Sequence, residues 1–192
     1  MRSHVPEVNL QSHNASIAYC LTMQDAASPI ALRPVTDGDR FRLRRWLEEP
    51  HVIAWWGSKA AAEAAVALAA QSPTAVARII ERDGDAIGYA HALDLEDRRL
   101  PPGTWIADVF IGATDCRGQG LGAIALTQLR DEVFRTTLAP ALAVRVSISN
   151  ERPVRFIERA GFKWLAVVPD ALLGPCWLLV AVRDKWQPST RL

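Results

Sequence analysis

The chain is poor in the residues that mark secreted, metal-binding or nucleic-acid-binding proteins. Its three cysteines, Cys20, Cys116 and Cys176, are odd in number, far apart and free of any CxxC spacing. That pattern excludes a disulfide scaffold and points to reduced thiols in a cytoplasmic protein. Four scattered histidines give no metal-ligand spacing, so no metal is expected. Charge nearly cancels, with 22 Lys+Arg against 21 Asp+Glu, and a net +1 offers no basic field for nucleic acid. No apolar run approaches the length of a membrane span, so no membrane partner is expected. The first 24 residues lack the positive cluster and continuous apolar core of a signal peptide. Tyrosine is scarce: Tyr19 and Tyr89, against seven tryptophans.

What remains is a chain of 192 residues, 49% hydrophobic, with material for one core and too little for two. Residues 1–29 are polar and irregular and read as a flexible arm, with Met23 as a second candidate start. Residues 30–186 read as one domain and 187–192 as a tail. A monomer or a homodimer would suit this size.

The pattern alternates strands and helices. Ile30 to Pro34 reads as a strand. Thr36-x-x-Asp39 resembles a capping box and opens a helix FRLRRWLEE, which Pro50 should end. HVIAWWG, His51 to Gly57, reads as a loop. Ser58 caps an alanine-rich helix to about Gln71, which packs closely or moves as a lid. Val76 to Glu81 and Ala86 to Leu95 form strands joined at Asp83-Gly84, with Gly88 near a bulge. Strands follow at Trp105 to Gly112, Leu142 to Ile148, Phe162 to Val168 and Cys176 to Val182. Helices run to about Thr137 and after Asn150. The order is β-α-α-β-β-β-α-β-α-β-β, a mixed, mostly antiparallel α/β sheet with flanking helices.

The most informative stretch is DVFIGATDCRGQGLG, Asp108 to Gly122. An apolar strand turns through glycines into a helix. Glycines let backbone approach a ligand, and the first amides of a helix have no partner within it. Such a loop accepts a phosphate, aided by the helix dipole. The alternative is a turn before a packed helix. The spacing is neither GxxxxGK[ST] nor GxGxxG.

Arg117-x-x-Gly120-x-Gly122 after a strand resembles the pyrophosphate loop of the GCN5-related N-acetyltransferases (GNAT). NERPVRFIERAGF, Asn150 to Phe162, resembles the closing motif of the same superfamily. Its Asn is a good N-cap, its Pro sits in the first turn and its Gly stops the helix. The resemblance covers roughly residues 31–183. It implies direct transfer of an acetyl group from acetyl-CoA to an amine. Cofactor contacts are then expected at Phe110, Ile111, Gly112, Arg117, Gly118, Gln119, Gly120, Leu121, Gly122 and Asn150.

An amine arrives as an ammonium and must lose a proton before attack. Asp108 is the candidate base. It interrupts the apolar strand WIADVFIG, where a carboxylate is costly unless paired or functional. The alternatives are an ion pair with an Arg or a position off a sheet edge. WLEEPHVIAWWG, the Gly-Tyr-Ala at 88–90 and the Asp before the loop resemble the aminoglycoside 6′-N-acetyltransferases. In those enzymes the Asp is the proposed base and anchor. The siderophore hydroxylysine N-acyltransferases share the helix-then-Trp opening but carry His where Asp108 stands. Trp55 and Trp56 either plug the core or line the acceptor pocket, where an indole face suits a sugar ring or cation. Asp94, Trp105 and Asp108 complete the expected acceptor wall.

Three departures from that family stand out. Ile157 occupies the place of a tyrosine proposed as general acid. The loop from Asp94 to Gly103 is not strongly acidic, because Arg98 and Arg99 offset its carboxylates. Arg145 stands nearest the place of a further carboxylate. The rival readings are a siderophore-type or other small-amine acyltransferase, and a non-catalytic acyl-CoA-binding domain. A protein N-terminal acetyltransferase would need an open groove, which bulky Trp55-Trp56 disfavours.

Overall fold

A computed structural model describes residues 28–56, 58–95, 97–148, 152–170 and 173–183. The expected arm up to residue 27, the tail 187–192 and Asn150 lie outside the described residues. The described chain is a seven-stranded sheet with helices on both faces. The strands are β1 (Ala31–Pro34), β2 (Val76–Arg82), β3 (Asp85–Asp94), β4 (Trp105–Ile111), β5 (Ala141–Ser147), β6 (Lys163–Asp170) and β7 (Gly174–Val182). Their order is β1-β2-β3-β4-β5-β7-β6. Every neighbouring pair is antiparallel except β4–β5. No described helix is long and apolar enough to cross a membrane.

Five helices complete it: α1 (Arg40–Trp46), α2 (Pro50–Trp56), α3 (Lys59–Gln71), α4 (Leu121–Thr136) and α5 (Arg152–Arg159). One more helix exists than the sequence pattern indicates. Pro50 begins α2 instead of merely ending α1, and the expected Trp-Trp loop is helical. A proline at the first helical position loses no hydrogen bond, because that N–H would be orphaned anyway. The Thr36–Asp39 capping box is present, but it opens a single 3-10 turn, Asp37–Asp39, ahead of α1. Asp39 also takes Arg33 on both oxygens at 2.7 Å, tying β1 to that turn. Ser58 caps α3 by accepting the Ala61 N–H at 3.1 Å. Asp83 and Gly84 both have positive φ, 53° and 86°, as a two-residue hairpin turn requires. The register of β2 on β3 slips between Ile80 and Glu81, across from Gly88.

Two features of β4 position everything that follows. First, its side chains alternate between faces. Trp105, Ala107 and Val109 join the core under α4, with Leu126, Leu129 and Val133. Ile106, Asp108 and Phe110 face the other way, Phe110 packing against Trp46 and Trp56 of α1 and α2. Second, β4 pairs with β5 only at Trp105↔Leu142 and Ile106↔Ala143. Beyond Ile106 the two strands part, while β5 stays paired with β7 as far as Ser147. The sheet is therefore open along the β5-facing edge of Asp108 to Ile111.

Candidate active site

Two cavities lie along this stretch of β4. The larger, about 560 Å³, is lined by Val109, Phe110 and Ile111 of β4, by Arg117, Gly118 and Gly120 of the loop, and by Leu121 and Gly122 of α4. Gly118 and Gly120 have φ of 75° and 78°, a left-handed conformation that glycine adopts without strain. They bend the chain so that α4 points its head at the cavity. The first backbone bonds of α4 run from Ala123 and Ile124 to the Gly120 carbonyl, at 3.0 and 3.4 Å. The amides of Leu121 and Gly122 precede them and belong to the turn a helix leaves unsatisfied. Arg117 and, from α5, Arg159 add cations to a cavity already favourable to phosphate.

The open edge of β4 supplies the rest. Gly112 donates to the Ile87 carbonyl at 2.9 Å. Antiparallel alternation from that bond turns the N–H groups of Val109 and Ile111 towards the missing β5 neighbour. An extended chain with amide groups can pair there as an added strand. His51 of α2 bonds the Ile111 carbonyl through Nε2 at 2.9 Å and also lines this cavity.

The smaller cavity, about 210 Å³, lies on the far side of Asp108. Its walls come from α2 (Trp56), α3 (Ala61, Ala64, Ala65 and Leu68), β3 (His91 and Leu93), β4 (Ile106 and Asp108), β5 (Arg145) and β6 (Asp170). The alanines explain the composition of α3: small side chains leave the space that larger ones would fill. Asp108 is one-fifth exposed, and its Oδ2 lies 3.5 Å from His91 Nε2. His91 is 1% exposed, and burial pushes its imidazole below the ordinary value against the upward pull of Asp108. Arg145 bonds Asp170 at 3.0 Å in the opposite wall. A neighbouring hollow shares Leu95, Ile106 and Arg145 and carries Arg98, Arg99 and Asp97, the last two paired at 2.6 Å.

Several expected site residues stand elsewhere. Trp105 and Asp94 are register partners and belong to the face opposite Asp108. Trp105 is core, and Asp94 is exposed. Period-two alternation separates them from the cavity that Asp108 faces. Gly112 does not line the larger cavity. Its amide is taken by Ile87, and a Cβ there would lie 2.2 Å from the Trp46 indole, so glycine is needed for packing. The Gln119 side chain turns away, accepting from Arg82 at 2.6 Å and donating to the Asp115 carbonyl at 2.8 Å. It braces the loop. Trp56 lines the acceptor-side cavity, while the Trp55 side chain lies outside the described residues. Ile157 is fully buried in the α4 core.

Sequence reasoning missed His91, Arg159, His51 and Asp170. Arg159 was within reach, lying at i+3 from Phe156 on the short helix. His91 was legible as a polar interruption of an apolar strand, the same signal that marked Asp108.

A cavity at a glycine loop and helix head, beside a split between parallel strands and a second cavity with a carboxylate, is an arrangement that suits an acyl-CoA-dependent N-acyltransferase. The GNAT acetyltransferase domain model matches residues 35–168, and the chain belongs to that family. It is a GNAT N-acetyltransferase with acetyl-CoA as co-substrate. The chain is 28% identical over 178 residues to an aminoglycoside N(6′)-acetyltransferase type 1 of Serratia marcescens, covering 84% of this chain and 87% of that protein. The solved aminoglycoside acetyltransferase AAC(6′)-Ib, in complex with coenzyme A and kanamycin, superposes with a TM-score of 0.69 at 26% identity, covering 81% of this chain and 95% of that one. A spermidine N-acetyltransferase of Vibrio cholerae shares the fold at 14% identity and a TM-score of 0.66, covering 83% of this chain and 98% of that one.

Proposed function

We propose that this acetyltransferase acetylates a primary amine of a small cationic acceptor, the 6′-amine of an aminoglycoside, with Asp108 as base. The observation that carries the proposal is the position of Asp108. It is the carboxylate in the strand dividing the cofactor cavity from the second cavity. Similarity supplies the acceptor class, since the Serratia marcescens relative is an aminoglycoside N(6′)-acetyltransferase.

The steps follow from the geometry. Acetyl-CoA lays its pyrophosphate on the head of α4 and its pantetheine along the open edge of β4. The thioester then ends near Asp108, at the junction of the cavities. The acceptor ammonium enters beside Trp56 and pairs with the Asp108 carboxylate. Asp108 takes one proton, and the freed amine lone pair attacks the thioester carbonyl. A β4 amide receives the oxyanion. The carbon–sulfur bond breaks as the bonded nitrogen gives up its second proton to the leaving sulfur or to water, coenzyme A departs as thiol or thiolate, and Asp108 returns its proton to solvent. No side-chain acid is required, because a thiol of pKa about 8.5 leaves tolerably without one.

A second reading is a small amine of lower charge, such as a hydroxylysine-type acceptor. Arg145, paired with Asp170, and the nearby Arg98 and Arg99 favour it, because they oppose a polycation at the mouth. Free-thiol release from acetyl-CoA with kanamycin, spermidine and hydroxylysine separates the two. Turnover with kanamycin is the expected result. Turnover confined to hydroxylysine would replace the first reading with the second.

A further inference from the structure

We infer that His91 is a positioning residue for the acetyl transfer, holding one oxygen of Asp108 so that the other faces the incoming amine. The inference rests on the reading of Asp108 as the base and adds a residue to it.

The two side chains meet by register. His91 on β3 is the direct antiparallel partner of Asp108 on β4, and both line the acceptor-side cavity. The His91 ring lies 5.5 Å from that of Tyr89, tilted by 48°. Its Nε2 is 3.5 Å from Asp108 Oδ2, and its Nδ1 has no hydrogen-bond partner. The cavity's other charged groups are Arg145 of β5 and Asp170 of β6, paired with each other.

A buried nitrogen with no partner is costly, and an apolar ring would fill the same space without that cost. Packing alone therefore does not account for a histidine here. Its useful atom is Nε2. A neutral imidazole carries its proton on one nitrogen, and the facing carboxylate selects Nε2–H. Nδ1 is then the bare lone pair, which explains why it has no donor. Burial keeps the ring neutral. That matters chemically, because an imidazolium would cancel the charge with which Asp108 holds an ammonium. A neutral donor orients the carboxylate and leaves the charge in place.

At 3.5 Å the contact is longer than a usual N–H···O bond of about 2.9 Å. Contacts of this kind tighten when substrate binds. During the reaction one amine proton goes to the free oxygen of Asp108, the carbon–nitrogen bond forms, and as the carbon–sulfur bond breaks the second amine proton passes to the leaving sulfur or to water. His91 gains and loses no proton.

Two experiments on the full chain test this. Imidazole nitrogen NMR, with His91→Gln to assign the signal among the four histidines, reads the tautomer without any acceptor. A neutral Nε2–H ring from about pH 7 to 8 is expected. An Nδ1–H tautomer or a charged ring in that range overturns the inference. Kinetics then compare His91→Leu, which has no donor, with His91→Gln, which keeps an N–H donor. Using acetyl-CoA with the fastest acceptor among kanamycin, spermidine and hydroxylysine, His91→Leu should lose about 10-fold or more in kcat with acetyl-CoA affinity unchanged. His91→Gln should recover to within about 3-fold of wild type. Should His91→Leu fail to fold, His91→Phe carries the same expectation. In an Asp108→Asn background, removing the His91 donor should cost nothing further. Wild-type speed in His91→Leu, or a further loss in that background, overturns the inference. A fully active Asp108→Asn would remove the base reading itself, a result distinct from a slow Asp108→Asn beside a fast His91→Leu.

Discussion

The two cavities are built from different materials. The larger cavity has a backbone frame, made of positive-φ glycines, the head of α4 and the open edge of β4, with His51, Phe156 and Arg159 added from elsewhere in the chain. That frame comes from one run of sequence between Val109 and Gly122. The acceptor-side cavity is mostly side chain, drawn from α2, α3, β3, β4, β5 and β6. A backbone site tolerates side-chain variation and fixes one ligand. A side-chain site can change ligand with few substitutions. On the proposed reading the first cavity sets the acyl donor, and the second, with Asp108 in its wall, sets the amine and takes its proton.

The largest expected effect is on the backbone site. Gly120→Asp should weaken acetyl-CoA binding by about 100-fold or more, measured by calorimetry. No side chain crowds that position, so the effect comes from negative charge and a φ of 78°. Unchanged affinity would remove the loop from the cofactor site and dissolve the comparison. Next, Ala64→Trp should obstruct the acceptor-side cavity, raising the acceptor KM about 10-fold while acetyl-CoA affinity holds. A parallel loss of acetyl-CoA affinity would mean the two cavities are not separable.

A stability effect comes third. Asp39 accepts from Arg33 and from Thr36, and the guanidinium holds its carboxyl well below the usual carboxylate range. A depressed folded-state pKa contributes stability above the unfolded value and loses it as pH falls. Wild type should therefore lose that contribution as pH drops below about 4, whereas Asp39→Asn should be weaker by about 2 kcal/mol at neutral pH and insensitive there. Urea unfolding at several pH values checks both. The substitution lies outside both cavity walls, so kcat should hold in the folded variant. The smallest effect sharpens the acceptor side. Arg145→Gln removes the cation paired with Asp170 and should lower the kanamycin KM about 3-fold. A raised KM would mean that the guanidinium itself contacts the acceptor.

The same contrast explains what the sequence revealed. The glycine loop was legible because strand, turn and helix head are contiguous, and each leaves a local mark. The succession of strands along the chain and most strand limits were legible through hydrophobic runs and the Asp83-Gly84 turn. Helix α2 was not, because Pro50 signals a helix start as well as a stop, and only packing on Phe110 decides which. Trp105 and Asp94 were misplaced because closeness in sequence to Asp108 says nothing about face, while alternation does. His91, Arg145 and Asp170 come together only through the register of separate strands, which no local pattern encodes.

The proposed function turns on Asp108, in the strand that lines both cavities. The direct test is Asp108→Ala, with thiol release from acetyl-CoA and kanamycin measured beside acetyl-CoA affinity. The account predicts turnover reduced by about 100-fold or more with affinity unchanged. Turnover close to wild type would contradict it and leave the proton to another group.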